Sequence, residues 1–156
     1  RWAPSCFGDQ PWKFIIFQKK DALQWVNALN CLSVGNQNWA MDTSLLICVC
    51  ANKKFKHNGN ENKWSQYDTG AASENICLQS TFLGSAAHQM GGFDSDKIRN
   101  LANIPVEFDV MSFIAVGKPL AKKLMTVEQE EAEGSARKRL KLNEIYFENK
   151  WDNFEG

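Results

Sequence analysis

The segment from Ser44 to Ala51 constrains the fold of this chain more than any other feature of its sequence. Six consecutive residues inside it are apolar: Leu45, Leu46, Ile47, Cys48, Val49 and Cys50. A strand with one face in water alternates apolar and polar residues, whereas an unbroken apolar run is typical of a strand covered on both faces. We therefore predict a central strand with other elements packed against both of its sides.

The segments on either side of this run predict further strands and loops. Residues 13–18 and Glu107–Val116 are rich in β-branched and aromatic residues, which favours two more strands. The polar segment Ser33–Ala40 has a turn-forming composition and is predicted to be a loop. Residues 52–66 are also polar and predict a mobile surface loop that could carry a lid. The aromatic tail Leu142–Trp151 is predicted to be extended.

Four segments predict helices. The first begins after Asp21, which caps it. Its buried face is predicted from helical spacing: Leu23, Val26 and Leu29. The longest, Asp68–Ala87, is apolar on most sides and is expected to be central and buried, and its small residues Gly70–Ser73 let another helix come close. Shorter helices are predicted at Asp94–Leu101, capped by Asp94, and within the charged stretch Glu128–Arg139.

Length, composition and charge exclude several classes of protein. The 156 residues suffice for one domain with its own core, and 44% hydrophobic with 23% charged residues argues against disorder. Eighteen basic side chains balance eighteen acidic ones, so no overall field attracts nucleic acid or an anionic membrane. No apolar run approaches the roughly 18 to 20 residues that span a bilayer, and none resembles a signal peptide. We expect neither a nucleic-acid nor a membrane partner.

The five cysteines and two histidines indicate neither a disulfide framework nor a metal site. An odd number of cysteines in mostly apolar segments favours reduced, buried thiols and hence a cytoplasmic protein. Cys48 and Cys50 fall on one face of the predicted central strand, where packing is the favoured interpretation. His57 and His88 are isolated, and no cysteine–histidine spacing is typical of zinc. We predict no metal site.

The first twelve residues have the composition of a ligand-binding loop. Pro4 and Pro11 each bias the preceding residue away from the helical conformation. Gly8 lets a flat ligand approach the main chain closely. Three residues add hydrogen-bonding side chains: Ser5, Asp9 and Gln10.

Two later motifs are ambiguous by themselves. The glycine pair in Met90-Gly91-Gly92 is typical of a C-cap between two helices. The basic triplet Arg137-Lys138-Arg139 is typical of a solvated face or a weak nucleic-acid patch. In an extended segment, however, Arg137 and Arg139 would point the same way and could share a phosphate, with Lys138 pointing away.

Four segments together resemble the nitroreductase family, in the family's order. They are Ala3-Pro4-Ser5 with Gln10-Pro11-Trp12, the pair Gly91-Gly92, Ile104-Pro105 with Ala115-Val116-Gly117-Lys118-Pro119, and the pair Arg137 and Arg139. The resemblance implies an α+β, nitroreductase-like fold: a central antiparallel-type sheet flanked by helices, in an intertwined homodimer whose seam would include Gly70–Ser73. It implies a single domain over residues 1–156. The chain starts at Arg1 without the family's upstream Arg-x-Ser-x-Arg element, so we expect that an N-terminal segment is missing from it.

The resemblance also implies an FMN site at the dimer interface. The cofactor-binding residues would be Pro4, Ser5, Gly8, Asp9, Gln10, Met90, Gly91, Gly92, Arg137 and Arg139. The glycine pair would direct backbone N–H groups at the N5 edge of the flavin, and the arginine pair would hold its phosphate. Gly8 stands where the family commonly has Asn, so the contact with the pyrimidine end would come from Gln10, Asp9 or the backbone. Trp64 and Tyr67, beside the polar loop, are predicted to line the substrate cleft.

The implied activity is that of an FMN-dependent NAD(P)H oxidoreductase with a two-step (ping-pong) hydride mechanism. NADH or NADPH would reduce the flavin, and a small-molecule acceptor such as a nitroaromatic, a quinone or another conjugated electrophile would take the electrons. No Gly-x-Gly-x-x-Gly motif is present, so the nicotinamide is expected to stack on the flavin in an open cleft. The cofactor supplies the chemistry, and no catalytic acid or base is assigned. The alternatives are reaction of reduced flavin with oxygen or a halogenated aromatic, and a non-catalytic or specialised flavin-binding dimeric protein of the same fold.

Overall fold

A computed structural model of the protein describes residues 1–151, so the last five residues of the predicted 1–156 domain lie outside the described part. The chain divides into two units, Arg1–Pro119 and Leu120–Gly156. The helices and strands of the first unit are β1 (Trp12–Gln18), α1 (Ala22–Leu29), α2 (Val34–Ala40), β2 (Leu45–Asn52), α3 (Ser65–Phe82), β3 (Ala86–Met90), α4 (Ser95–Leu101) and β4 (Phe108–Gly117). Within residues 1–151, no helix combines the length and the apolar character needed to cross a membrane.

The four strands form one antiparallel sheet in the order β1-β2-β4-β3. One row across the sheet joins Ile15, Cys48, Phe113 and Met90. Strand β2 lies inside the sheet, and its residues 46–51 are all buried. The central strand covered on both faces, predicted from the run Ser44–Ala51, is therefore confirmed.

Helices cover both faces of this sheet. Alternate residues of its central strands point to opposite faces, and since both sets are apolar, both faces must be covered. On one face, Cys48 and Phe113 pack with Trp25 of α1 and Ile98 of α4. On the other face, a second apolar cluster is covered by α3: Ile47, Val49, Ile114 and Val116 with Ile76 and Cys77. The α+β class with a central antiparallel sheet flanked by helices is confirmed.

The buried face of α1 differs from the prediction. The helix buries Trp25 and Ala28, whereas the predicted Leu23 is 72% exposed and Val26 is also exposed. Of the three predicted residues only Leu29, which is partly buried, packs against the core. The predicted and the observed buried positions are offset around the helix. The face that contacts the sheet carries the large indole ring of Trp25 and the small Ala28, which allows close approach. The side chain of Asp21 makes no capping hydrogen bond, although its carbonyl accepts one from the Trp25 N–H.

The prediction of a loop at Ser33–Ala40 is wrong, because Val34–Ala40 form helix α2. Contacts outside the helix compensate for its weak helix-forming composition. The Gln37 side chain donates to the carbonyl of Leu32 at 2.7 Å, and the N–H of Ser33 donates to the carbonyl of Gly92 at 2.9 Å. Ala40 is fully buried at its end.

Helix α3 is shorter and less buried than predicted for Asp68–Ala87. It ends at Phe82, and Gly84 adopts a φ of 77°, a left-handed conformation that commonly terminates helices. The residues that follow form strand β3 at the edge of the sheet. Within one chain, α3 buries one face only, and Phe82 is 84% exposed.

The second unit contains one regular helix, α5 (Val127–Gly134), among its described residues. Thr126 and Gln129 form a capping box at its start, and Lys122 pairs with Glu130 at 2.8 Å. The helix occupies only the first half of the predicted stretch Glu128–Arg139. The tail Leu142–Trp151 is not extended as predicted, because it begins with a 3-10 turn at Leu142–Glu144 and folds so that the rings of Phe147 and Trp151 lie 5.2 Å apart.

Candidate functional site

The loop before β1, which we call the first loop (Ala3–Pro11), has an unusual backbone. Phe7, Gly8 and Gln10 have φ values of 54°, 66° and 50°, all in the left-handed region. Such conformations cost on the order of 1–3 kcal/mol each for non-glycine residues and occur mainly where function requires a fixed shape. The Ser5 hydroxyl accepts a hydrogen bond from the Gln10 N–H at 3.0 Å, and the Ser5 carbonyl accepts one from the Gly8 N–H at 2.9 Å. Ser5 therefore closes the loop on itself.

The first loop is anchored to the start of α3. The Cys6 N–H donates to Asp68 Oδ2 at 2.9 Å, and the side chain of Asp68 is buried. Ala3 and Trp12 pack against Ala72 in a small apolar cluster. Ala72 and the neighbouring Ser73 are buried within the chain itself, so of the predicted dimer seam Gly70–Ser73 only Gly70 and part of Ala71 remain accessible to a second copy.

A second anchor comes from residues 53–62, which we call the β2–α3 hairpin because Lys54 and Glu61 pair as an isolated β-bridge. The N–H of Lys56 donates to Asp9 Oδ1 at 3.0 Å. The Lys56 ammonium donates to the carbonyls of Asp9 at 2.5 Å and Gln10 at 3.3 Å. Asp9 is only 8% exposed, so its side chain fixes the hairpin, and the loop offers a ligand mainly the Gln10 side chain and main-chain groups.

A cavity of about 400 Å³ lies between the first loop and the hairpin. We call it the loop cavity; its lining residues are Phe7, Gly8, Asp9, Gln10, Lys56 and His57. The rings of Phe7 and His57 stand 5.3 Å apart at 66°, and Phe55 contacts both. A Cβ atom at Gly8 would meet nothing within 4 Å, so the main chain there is open to a flat ligand.

The glycine pair lies between β3 and α4, and therefore is not a C-cap between two helices. Met90 is buried as the last residue of β3. Gly91 is exposed, and a Cβ atom there would also meet nothing within 4 Å. The Gly92 carbonyl accepts hydrogen bonds from the Ser33 N–H at 2.9 Å and from Asn36 Nδ2 at 3.0 Å. Gly91 thus offers open main chain, while Gly92 fixes the turn to α2.

The first loop and the glycine pair lie at the same end of the sheet but beside opposite edge strands. The start of β1 is level with the end of β2, which pairs with the start of β4; β3 runs toward the same end of the sheet but stops at Met90, level with Phe113 in the middle of β4. Three strand spacings of roughly 4.8 Å separate β1 from β3, a distance of about 14 Å. Within one chain the two segments therefore do not meet.

The remaining predicted site residues fall in two places. Trp64 and Tyr67 lie at the start of α3, next to Asp68 and hence near the first loop, and both are exposed. The ammonium of Lys63 lies 5.1 Å from the ring centre of Trp64. Arg137 and Arg139 are exposed in the second unit, in a segment without regular structure after α5. The only hydrogen bond that involves either guanidinium in the described residues joins Arg139 to the Lys138 carbonyl at 2.8 Å.

Sequence reasoning missed the residues that hold the first loop in shape. Lys56 and Asp68 contact it across 47 and 62 positions of the chain. A single lysine in a polar segment and an aspartate near a helix start carry no signal for such contacts, although the position of Asp68 in the first turn of α3 is typical of an anion favoured by the helix dipole.

The cysteines of the sheet form part of the core. Cys48 and Cys50 Sγ lie 3.9 Å apart and are fully buried. The hydrogen bond with Cys50 and burial raise the pKa of the Cys48 thiol, which keeps it protonated. All five cysteines are free thiols. The interpretation of Cys48 and Cys50 as packing residues agrees with this arrangement.

The two glycines of the pair should respond differently to alanine. In Gly92→Ala the new Cβ would stand 2.8 Å from Ser33 Oγ and 2.9 Å from Asn36 Nδ2, so we expect a loss of about 1–3 kcal/mol in the free energy of unfolding. In Gly91→Ala, the matched control, the added methyl meets open space, and the loss should stay within about 1 kcal/mol. Urea denaturation measures both. Equal losses of unfolding free energy in the two variants would contradict the prediction that only the Cβ at position 92 meets neighbouring atoms.

Comparisons with known proteins agree with this architecture. Residues 24–118 match the model of the nitroreductase family. A putative NADH dehydrogenase/NAD(P)H nitroreductase of Archaeoglobus fulgidus is 30% identical over 125 residues, which cover 78% of this chain and 68% of that protein. A crystal structure described as an oxidoreductase containing FMN superposes with a TM-score of 0.87 at 31% identity, covering 98% of this chain and 78% of the other.

A further structure shares the fold at lower identity. A nitroreductase family protein of Clostridium difficile superposes with a TM-score of 0.68 at 24% identity, covering 95% of this chain and 79% of the other. The family match extends over more than half of the chain, from within α1 to the end of β4, and includes three of the four strands. The chain therefore belongs to the nitroreductase family and has its α+β fold.

Proposed function

We propose that this protein is an FMN-dependent oxidoreductase that uses NADH or NADPH to reduce nitroaromatic, quinone or related conjugated acceptors in two steps. The observation that carries the proposal is the strained first loop, held in a fixed shape by Asp68 and Lys56 beside open main chain at Gly8. Family membership and similarity to an oxidoreductase containing FMN support it. When bound, FMN supplies the electron-transfer chemistry.

The residues present fit such a cofactor. Gly8 and Gly91 expose main chain where a Cβ would meet no other atom, as close approach of a flat ring requires. Gln10 and the main chain of the first loop would bind the pyrimidine end, with Pro4, Ser5 and Asp9 shaping the loop. The N–H groups of Gly91 and Gly92 would donate to the flavin edge, and Met90, which precedes them in the chain, would belong to the same part of the site. Fixed backbone donors stabilise developing negative charge without reorganising.

The phosphate would be held by Arg137 and Arg139, whose guanidinium groups are exposed and suited to two-pronged contact with phosphate oxygens. Trp64 and Tyr67 would line the cleft in which the nicotinamide and the acceptor bind. We also propose a cytoplasmic location, which the five free thiols support.

We propose further that the protein acts as a homodimer. A flavin that contacts both the first loop and the glycine pair needs both segments within reach of its ring system, and within a chain they lie beside opposite edge strands that are themselves about 14 Å apart. In a dimer, the first loop of one copy can face the glycine pair of the other. The exposed apolar side chains of α3 support this arrangement: Leu78, Phe82 and the following Leu83.

The proposal predicts cofactor content directly. Purified protein should be yellow, with about one FMN per subunit, and addition of NADH or NADPH should bleach the flavin absorbance. A nitroaromatic or a quinone added afterwards should restore it. Protein that stays colourless in excess FMN would overturn the proposal, while bound flavin that neither nicotinamide bleaches would favour the non-catalytic flavin-binding alternative.

A further inference from the structure

The loop cavity contains side chains to which the proposed cofactor site assigns no role. Three of its six lining residues belong to the part of the first loop assigned to the flavin, Gly8 to Gln10. The other three, Phe7, Lys56 and His57, present two rings and an ammonium group to the same space.

The walls of the loop cavity are held in place by reciprocal hydrogen bonds. Asp9 accepts from the main-chain N–H of Lys56, and the Lys56 ammonium donates back to the carbonyls of Asp9 and Gln10. These bonds join the tip of the hairpin to the first loop. The cavity is therefore built into the fold and does not require a ligand to form it.

The aromatic side of the cavity offers exposed ring surface. Phe7 is 82% exposed although its edge contacts Phe55 and His57 at centroid distances of 5.7 and 5.3 Å. Its backbone is held in the left-handed region, which is uncommon for a bulky residue. An aromatic ligand ring could pack against Phe7 and His57 with the offset or edge-on geometry that aromatic pairs favour.

The charged side of the cavity favours an anion. An ammonium group has three N–H donors. Lys56 directs two of them at the carbonyl oxygens of Asp9 and Gln10, which leaves the third for a ligand. Asp9 also lines the cavity, but its Oδ1 accepts from the Lys56 N–H and its Oδ2 is not accessible to solvent, so the Lys56 ammonium is the charged group that a ligand can contact directly. A hydrogen bond from an ammonium to an anionic oxygen is about twice as strong as one between neutral groups.

We propose that the loop cavity continues the substrate cleft assigned to Trp64 and Tyr67 as a subsite for the acceptor, and that it selects acceptors that carry an anionic group, such as a carboxylate, on an aromatic ring. The ring packs against Phe7 and His57, and the anion binds the free N–H of the Lys56 ammonium. This inference rests on the proposed function, since it identifies the class of acceptor that the flavin would reduce beside the first loop.

A matched pair of acceptors tests the charge preference. 4-Nitrobenzoate and 4-nitrobenzamide differ in charge and in the electron withdrawal of the para group, so the test reads the change in the ratio of their kcat/KM values between variants; intrinsic reactivity and a disturbance of the flavin then cancel. We expect Lys56→Met to lower the ratio of 4-nitrobenzoate to 4-nitrobenzamide about three- to tenfold. Lys56→Arg, which keeps the charge, should retain most of the preference.

Lys13→Met serves as the control, because Lys13 is an exposed lysine of β1 that does not line the cavity. It should leave the ratio unchanged. If Lys56→Met fails to fold, the native protein still decides: added salt should reduce the preference for the anion by screening it. A ratio that neither salt nor Lys56→Met changes would overturn the inference.

A binding experiment separates this inference from the proposed function. Equilibrium dialysis with benzoate and benzamide needs no turnover: Phe7→Ala should weaken both ligands, and Lys56→Met only benzoate. Protein that binds no FMN yet shows this pattern would refute the proposed function and retain an aromatic-anion site. Protein that is reduced by NADH or NADPH but binds benzoate no better than benzamide would refute the subsite alone.

Discussion

Replacing Ala72 with arginine should cost about 4 kcal/mol or more of the free energy of unfolding and leave the first unit unfolded or aggregated. Ala72 is 1% exposed and packs against Ala3 and Trp12, where the first loop lies on α3. An arginine there must either bury a charge without a partner or push the loop off the helix. Circular dichroism during urea denaturation measures the loss.

Gly70→Arg is the matched control for this substitution. Gly70 lies on the exposed side of the same helix, and a Cβ atom there would meet nothing within 4 Å. The fold should therefore tolerate it, with a change in unfolding free energy of less than about 1 kcal/mol. Sedimentation of the same variant tests whether this side of α3 contacts a second copy. An Ala72→Arg variant as stable as Gly70→Arg would show that Ala72 does not support the first loop.

Replacing both Arg137 and Arg139 with alanine should weaken FMN binding at least tenfold while leaving riboflavin binding nearly unchanged. Only FMN carries the phosphate, and each charge-assisted contact contributes roughly 1.5–3 kcal/mol. Both arginines are exposed, so their removal should not affect the fold. Flavin fluorescence titration gives both dissociation constants.

Lys138→Ala is the control for the arginine pair, because Lys138 lies between the two positions and is predicted to point away from the phosphate. It should reduce FMN affinity less than either arginine substitution. Equal weakening of FMN and riboflavin in the double variant would mean that the pair does not contact the phosphate.

The sequence was most informative where one residue pattern determines one environment. The apolar run at 45–50 has no alternative to burial on both faces, and β2 takes that place in the sheet. Asp94 caps α4 as predicted, accepting hydrogen bonds from the N–H groups of Asp96 and Lys97. Such local signals need no knowledge of the rest of the fold.

The predictions that failed depend on contacts between distant segments. The predicted orientation of α1 was wrong for Leu23 and Val26, because their spacing is that of a buried helix face. Only the position of the sheet determines that Trp25 and Ala28 are buried instead. Helix α2 has a loop-like sequence that contacts with Leu32 and Gly92 stabilise. The bond between Lys56 and Asp9 joins two polar segments whose proximity no periodicity reveals.

The division of the site between opposite sheet edges has a genetic consequence. If the protein is the homodimer proposed here, every flavin site combines the first loop of one copy with the glycine pair of the other. A cell with two different defective alleles, one damaged at each segment, would assemble mixed pairs in which one site carries both lesions and the other carries none. Natural selection on this gene would then act on combinations of alleles, and a loss in one segment could persist beside a complementary copy.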